Sequence, residues 1–271
     1  MKVLNLQNQN QYLEAFWIQK LNVKLQLVQT DMNLKFWWGK HDHFQLVLLG
    51  EDRNAEIMKS LSEIPLEVRE LGSADHVVQQ NFHWWARNAF ATALKDLLIQ
   101  RLPELRTHHY AYVTGSNLRA INTVITLIKM GFRKIKTTMS DDCTELLDKL
   151  TQRTFGVEII QLDPKALLTQ ASDGSLLVNC VSETDDSETF NEICFFNFLA
   201  TGSAVVDAQK TFESKKLTTE GEAVGHKIVT ASDIQARTDF LILQNFSSLP
   251  NLSWDEYLTQ WNSFLNSQSS S

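Results

Sequence analysis

Residues 110–140, YAYVTGSNLRAINTVITLIKMGFRKIKTTMS, decide the fold of this chain. Tyr110–Val113 is a short apolar run, and Thr114-Gly115-Ser116-Asn117 is turn chemistry. Ile121, Val124, Ile125 and Ile128 then recur at helical spacing, and Gly131 stands where a helix C-terminus favours positive φ. Lys134–Thr138 reads as the next strand. Strand, helix and strand in this order make a βαβ unit, whose crossover implies a parallel sheet. A dinucleotide would dock at its turn, with the pyrophosphate on the free N–H groups of the helix N-terminus. Gly115 is the only glycine in that turn. The fold signal is therefore stronger than the binding signal.

The bulk composition narrows the function. With 271 residues, 43% of them hydrophobic, the chain can form one large or two medium domains. A formal net charge of −7 argues against nucleic acid or an anionic membrane as partner. The basic cluster Arg133-Lys134-Lys136 reads as a solvated helix-to-strand corner, with a local phosphate site as the alternative. No apolar run approaches the length of a membrane-spanning helix, and MKVLNLQNQNQ lacks the apolar segment of a signal peptide. The expected location is the cytoplasm. Cys143, Cys180 and Cys194 lack CxxC spacing and read as reduced, structural thiols. The tryptophans include two adjacent pairs, Trp37-Trp38 and Trp84-Trp85. Neighbours in sequence cannot both face one core, so one of each pair is expected at a domain or subunit surface, where a homodimer would form.

The remainder alternates strand and helix. Met1–Leu6, Val23–Val28, Phe44–Leu49 and Ala74–Val78 read as strands, with helices at Tyr12–Leu21 and Ala55–Leu61. Asn88–Leu102 is a long apolar-striped helix closed by Pro103, a connector between two domains. Beyond residue 140 come a helix at Thr144–Gln152 and strands at Val157–Gln161, Leu176–Val181, Ala204–Asp207 and His226–Val229. Glu183–Glu188 reads as an acidic loop and Gln209–Glu220 as a mobile polar segment. Helices Asp233–Leu243 and Ser253–Leu265 end the chain.

Six marks fall along this layout in order. They are Leu71-Gly72-Ser73-Ala74-Asp75-His76-Val77, Phe90-x-x-Ala93-Leu94, and Arg119-Ala120 followed by Met130-Gly131. Then come Leu177-Val178-Asn179-Cys180, Val205-Val206-Asp207 and Ala223-x-Gly225-x-Lys227-Ile228-Val229. Together they resemble the shikimate dehydrogenase family over nearly the whole chain. The resemblance implies an α/β, two-domain fold. Residues 1–87 would be an N-terminal substrate-type domain and 88–104 the connecting helix. Residues 105–231 would be a Rossmann-like, doubly wound parallel-sheet domain, and 232–271 helices returning to the first domain. The family's activity is NADP-dependent oxidoreduction between shikimate and 3-dehydroshikimate.

The family's working residues are largely replaced here. Its serine pair for the substrate carboxylate falls near Leu6-Gln7-Asn8-Gln9, and its catalytic lysine falls in Gly50-Glu51-Asp52-Arg53-Asn54. Arg53 keeps the charge but stays protonated, so it cannot shuttle a proton. The catalytic aspartate falls near Ala86, in Trp84-Trp85-Ala86, and the glutamine of a Gln-Ala pair near Thr238. Asp75 replaces a neutral amide that would meet a substrate hydroxyl. The glycine-rich turn becomes Val113-Thr114-Gly115-Ser116, and the motif that grips a 2′-phosphate falls on Met139-Ser140-Asp141. Asp141 would repel that phosphate yet could accept hydrogen bonds from an unphosphorylated ribose.

These residues support two expectations. In the first, the framework persists without the parental chemistry, as a pseudoenzyme that senses a small molecule or serves as a scaffold. In the second, the chain is an active NAD(P)-dependent oxidoreductase on a different small hydroxy or keto substrate. Thr114, Gly115, Ser116, Asn117 and Leu118 would then form the phosphate turn, Asp141 would hold the ribose, and Arg53 with Asp75 would face the substrate. No metal site is expected: His41-x-His43 reads as an exposed loop, and Asp141-Asp142 with Glu145 as helix N-terminal charge. Asp75-His76 with Ser73 is not read as a catalytic dyad, since adjacent strand side chains face opposite ways.

Overall fold

Parallel strands are covered on both faces, so they are built from runs of apolar residues without polar alternation. Leu176, Leu177 and Val178 are wholly buried, as are Ala111 and Val113. They define the centre of the fold. The structure, a computed structural model, describes residues 3–5, 15–17, 21, 45–81, 83–182, 184, 186–209, 215–245 and 252–268.

The first elements in chain order are β1 (Val3–Asn5), β2 (Leu46–Leu48), α1 (Glu51–Ser60), α2 (Leu66–Leu71), β3 (His76–Gln80) and β4 (His83–Arg87). Next are α3 (Ala89–Arg101), β5 (Tyr110–Thr114), α4 (Leu118–Lys129), β6 (Lys134–Thr137), α5 (Thr144–Arg153) and β7 (Glu158–Gln161). Last come β8 (Gly174–Asn179), α6 (Ser187–Ile193), β9 (Leu199–Asp207), α7 (Lys216–Ala223), β10 (Lys227–Val229), α8 (Ala231–Gln244) and α9 (Trp254–Gln268). The chain divides into two units: Met1–Ala89 with Ala236–Ser271, and Phe90–Gln235.

In the first unit, β1 runs parallel to β2, while β3 is antiparallel to both of its neighbours, giving the order β1-β2-β3-β4. Val47, Ile57, Val68, Val77 and Ala86 form its core under this sheet. A second apolar cluster joins Phe16 edge-on to Tyr257 and Trp261 of α9, at ring-centroid distances of 5.3 and 5.1 Å. β4 has no counterpart in the sequence reading. Its Trp84 and Trp85 point to opposite faces and both are half-buried, Trp84 against the core. The other pair, Trp37-Trp38, lies outside the described residues, as do Val23–Val28 and His41–His43.

In the second unit the sheet is wholly parallel, in the order β10-β9-β8-β5-β6-β7. The chain runs outward from β5 through β6 to β7, then returns to build β8, β9 and β10 on the other side. The direction of winding therefore reverses between β5 and β8, and in open α/β sheets ligands bind at that point, beyond the carboxyl ends of the strands. α4 is bounded as its sequence suggests. The Asn117 side chain caps the N-terminus by accepting from the Ala120 N–H at 2.9 Å. Gly131, at φ +102°, closes the other end: its N–H bonds to Ile128 O and that of Phe132 to Leu127 O.

Two segments differ from expectation. The polar stretch read as mobile contains α7, with Leu217 fully buried; residues 210–214 lie outside the description. The acidic stretch read as loop opens α6, because Asp186 caps it through the Thr189 N–H at 3.0 Å. Lys136 is also not solvated. Only 6% exposed, its ammonium donates to Tyr112 Oη at 3.1 Å, lies 3.5 Å from Asp173 Oδ1, and sits 4.0 Å from the Tyr110 ring centroid. A phenol, a carboxylate and a π face together satisfy a charge that could not otherwise be buried. Burial first, and then Asp173, hold the Tyr112 phenol well above its ordinary range.

Candidate functional site

The turn after β5 lies at the point where winding reverses, and its side chains are committed within the protein. Thr114 is buried, and its hydroxyl donates to Asn179 Oδ1 at 2.8 Å. Gly115 has φ +103°, and a Cβ there would lie 3.2 Å from the Cys180 carbonyl carbon. Its glycine serves close packing against the loop after β8. The exposed Ser116 accepts from the Ser140 N–H at 2.7 Å through Oγ. Besides capping α4, Asn117 donates from Nδ2 to Cys180 O at 2.7 Å. Leu118 begins α4. Asp141 is exposed in the short 3₁₀ turn Asp141–Cys143. The preceding loop is fixed by Gln161, whose Nε2 donates to the carbonyls of Met139 and Ser140 at 2.9 and 3.1 Å.

Beside this turn lies a buried polar network that the sequence reading did not assemble. Asn179, fully buried at the end of β8, makes four bonds. Its Oδ1 accepts from Thr114 Oγ1 and from the Val181 N–H at 3.2 Å. Its Nδ2 donates to Val181 O at 2.8 Å and to Asp207 Oδ1 at 3.2 Å. Asp207, 2% exposed at the end of β9, accepts on Oδ2 from Gln209 Nε2 at 2.6 Å. Burial pushes the Asp207 carboxyl up to about 6, against the lowering effect of the Gln209 and Asn179 donors and the Arg119 charge. Arg119 donates to the carbonyls of Ala208 and Gln209 at 3.0 and 3.3 Å and to Gln235 Oε1 at 3.3 Å, with its guanidinium 4.8 Å from the Phe90 ring centroid. Polar residues ending apolar strands were the signal in Asn179 and Asp207. The partners on Arg119 are too distant in sequence to be read.

The first unit has its own polar centre at the start of β3. Asp75 precedes the strand in a bend, so the alternation of pleated side chains does not govern it. Its Oδ1 lies 2.6 Å from His76 Nδ1, which corrects the expectation that the two face apart. The fully buried His76 meets Asn245 Nδ2 at 3.1 Å through Nε2. That pairing puts the ring proton on Nδ1, toward the carboxylate. The backbone beneath is clamped: the buried Asn54 amide bonds both the N–H and the carbonyl of Ala74, and Asn88 Nδ2 donates to Ser73 O at 3.2 Å. Leu49 N–H bonds to Asp75 O, and Asp75 N–H to Arg87 O. Ser73 is itself buried.

Other expected positions fall as follows. Arg53 is in the first turn of α1, with its side chain outside the described residues, and 6–9 also lie outside. Ala86 is buried within β4; two residues further on, the Asn88 amide donates to Ser73 O. Thr238 is buried in α8, and a Gln-Ala pair, Gln235-Ala236, stands three residues earlier with Gln235 on Arg119. Among the described residues, no group of three or more His, Cys, Asp and Glu could hold a metal, and no helix is long and apolar enough to cross a membrane.

These features define a class: a doubly wound, Rossmann-type α/β unit in one part of the chain and a smaller α/β unit, which also contains the C-terminal helix, in the other. The chain has a shikimate dehydrogenase-like fold. Quinate dehydrogenase from Corynebacterium glutamicum, solved in complex with NAD, superposes with a TM-score of 0.77 at 13% identity, covering 98% of both chains. Mycobacterium tuberculosis shikimate dehydrogenase gives 0.73 at 16%, covering 97% of this chain and 98% of that one. The Thermus thermophilus shikimate 5-dehydrogenase complexed with shikimate gives 0.67 at 17%, covering 98% of both. No family model matches the sequence, and no curated protein matches it.

Proposed function

We propose that this chain is a non-redox ligand-binding protein, a sensor or scaffold, that keeps a dehydrogenase framework without oxidising shikimate. The observation that carries the reading is the Asp75 carboxylate, held on a clamped backbone and paired with His76. A carboxylate only accepts hydrogen bonds, and it repels an acidic ring. On the same clamped segment, the Asn88 amide and the Ala86 methyl cannot move a proton. Loss of a positioned acid or base alone costs roughly 10²–10⁴ in rate. The ligand class that suits Asp75 offers donors: a neutral polyol or an amine.

A second reading has one observation in its favour. A carboxylate–imidazole pair can move protons, which suits an active NAD(P)-dependent oxidoreductase on another hydroxy or keto substrate. Against it, His76 is wholly buried and its Nε2 is taken by Asn245.

Thermal-shift measurements test the ligand class. Polyols or amines should raise the midpoint of the wild type, and Asp75→Asn should reduce that effect while its Oδ1 still accepts from His76. Ring carboxylates stabilising the wild type more than their neutral analogues would sink the assignment.

A further inference from the structure

The fold implies a dinucleotide at the turn after β5, and the residues present do not fit one. A pyrophosphate docks there by accepting from N–H groups at the helix N-terminus, over backbone left bare by glycines. In this chain the two positions after Gly115 carry side chains, and both are bonded across the turn.

We propose that the phosphate turn is self-occupied: Ser116 and Asn117 supply from their own side chains the acceptors that a pyrophosphate would supply, closing the turn to NAD and NADP. The proposal rests on the non-redox reading above and gives it a physical cause.

Three bonds carry it. Asn117 Oδ1 takes the Ala120 N–H at 2.9 Å, one of the helix N-terminal donors that an anion would otherwise satisfy. Ser116 Oγ takes the Ser140 N–H at 2.7 Å, tying the turn to the loop after β6. Asn117 Nδ2 donates to Cys180 O at 2.7 Å, tying it to the loop after β8. Since β6 and β8 flank β5, the turn is stapled to both of its neighbours. Gly115 adds no open backbone, because its missing Cβ is what lets it approach the Cys180 carbonyl. The exposed Asp141, just beyond Ser140, adds negative charge on the side where a ribose phosphate would arrive.

Calorimetric titration of the full chain with NAD and with NADP tests this. The wild type should show no saturable binding at millimolar nucleotide. The double variant Ser116→Gly, Asn117→Gly should bind at least about tenfold more tightly. It should also lose hydrogen-exchange protection at the Ala120 and Ser140 amides when free and regain it with nucleotide. Glycine is a tolerated N-cap, so the variant should fold, with circular dichroism as the check. Saturable binding by the wild type would overturn the proposal, even without turnover, and would leave the non-redox reading standing. A folded double variant that gains no affinity would also overturn it, since the two side chains would not then be what closes the turn.

Discussion

Asn179→Leu is expected to lower the free energy of unfolding of the second unit by about 4 kcal/mol. The amide is fully buried and makes four bonds, so an apolar isostere strands the Thr114 hydroxyl and both backbone groups of Val181 and takes one donor from Asp207 Oδ1, which keeps only the Gln209 N–H at 3.5 Å. Each buried group left without a partner costs about 1–3 kcal/mol, and partial rearrangement keeps the total below their sum. Every tryptophan lies outside residues 90–235, so indole fluorescence does not report on this unit. Hydrogen exchange of the β5 and β8 amides does. Asn179→Asp provides the control: it places a second carboxylate against Asp207, so its destabilisation should ease on acidification whereas that of Asn179→Leu should not. A loss under about 1 kcal/mol for Asn179→Leu would mean that the network carries little of the stability.

The second large effect concerns pH. The native Asp207 carboxyl is raised from 3.8 to about 6, chiefly by burial. A raised carboxyl favours the protonated form in the native state. Its cost is therefore absent below the unfolded value near 3.8 and grows as pH rises toward the native value near 6. The full cost is on the order of 3 kcal/mol. Asp207→Asn has no charge to bury, and a turned Gln209 amide can still meet it. Relative to wild type, the variant should gain on the order of 2–3 kcal/mol between pH 4 and pH 7.5 in urea unfolding followed by far-ultraviolet circular dichroism. A difference independent of pH would show that Asp207 does not titrate in this range.

The sheet of the second unit was legible because its signals are local. Asn117 and Gly131 bracket α4, and β5 and β8 are apolar runs of strand length. β4 was not, because His83-Trp84-Trp85-Ala86-Arg87 shows no clean alternation and its strand character comes from pairing with β3. α6 and α7 were hidden by polar composition, their apolar positions being few but buried.

At the candidate site, residue types could be read and partners could not. Asp75 stood out in sequence as an anion in place of an amide. That it meets His76 depends on a bend one residue before β3, which sequence alternation does not reveal. The Ser116–Ser140 and Asn117–Cys180 bonds join residues brought together only by the parallel pairing of β6 and β8 with β5. Lys136 shows the same limit. In sequence it belongs to a basic corner, and only strand pairing places it between Tyr110, Tyr112 and Asp173.

The central claim is that this framework no longer transfers hydride to or from an acidic ring. The most direct measurement is the initial rate of nicotinamide absorbance change with purified full-length protein, offering shikimate or quinate with NAD and with NADP. The account predicts a rate indistinguishable from that without protein for all four pairs. Saturable turnover with any of them, abolished by Asp75→Ala, would contradict it.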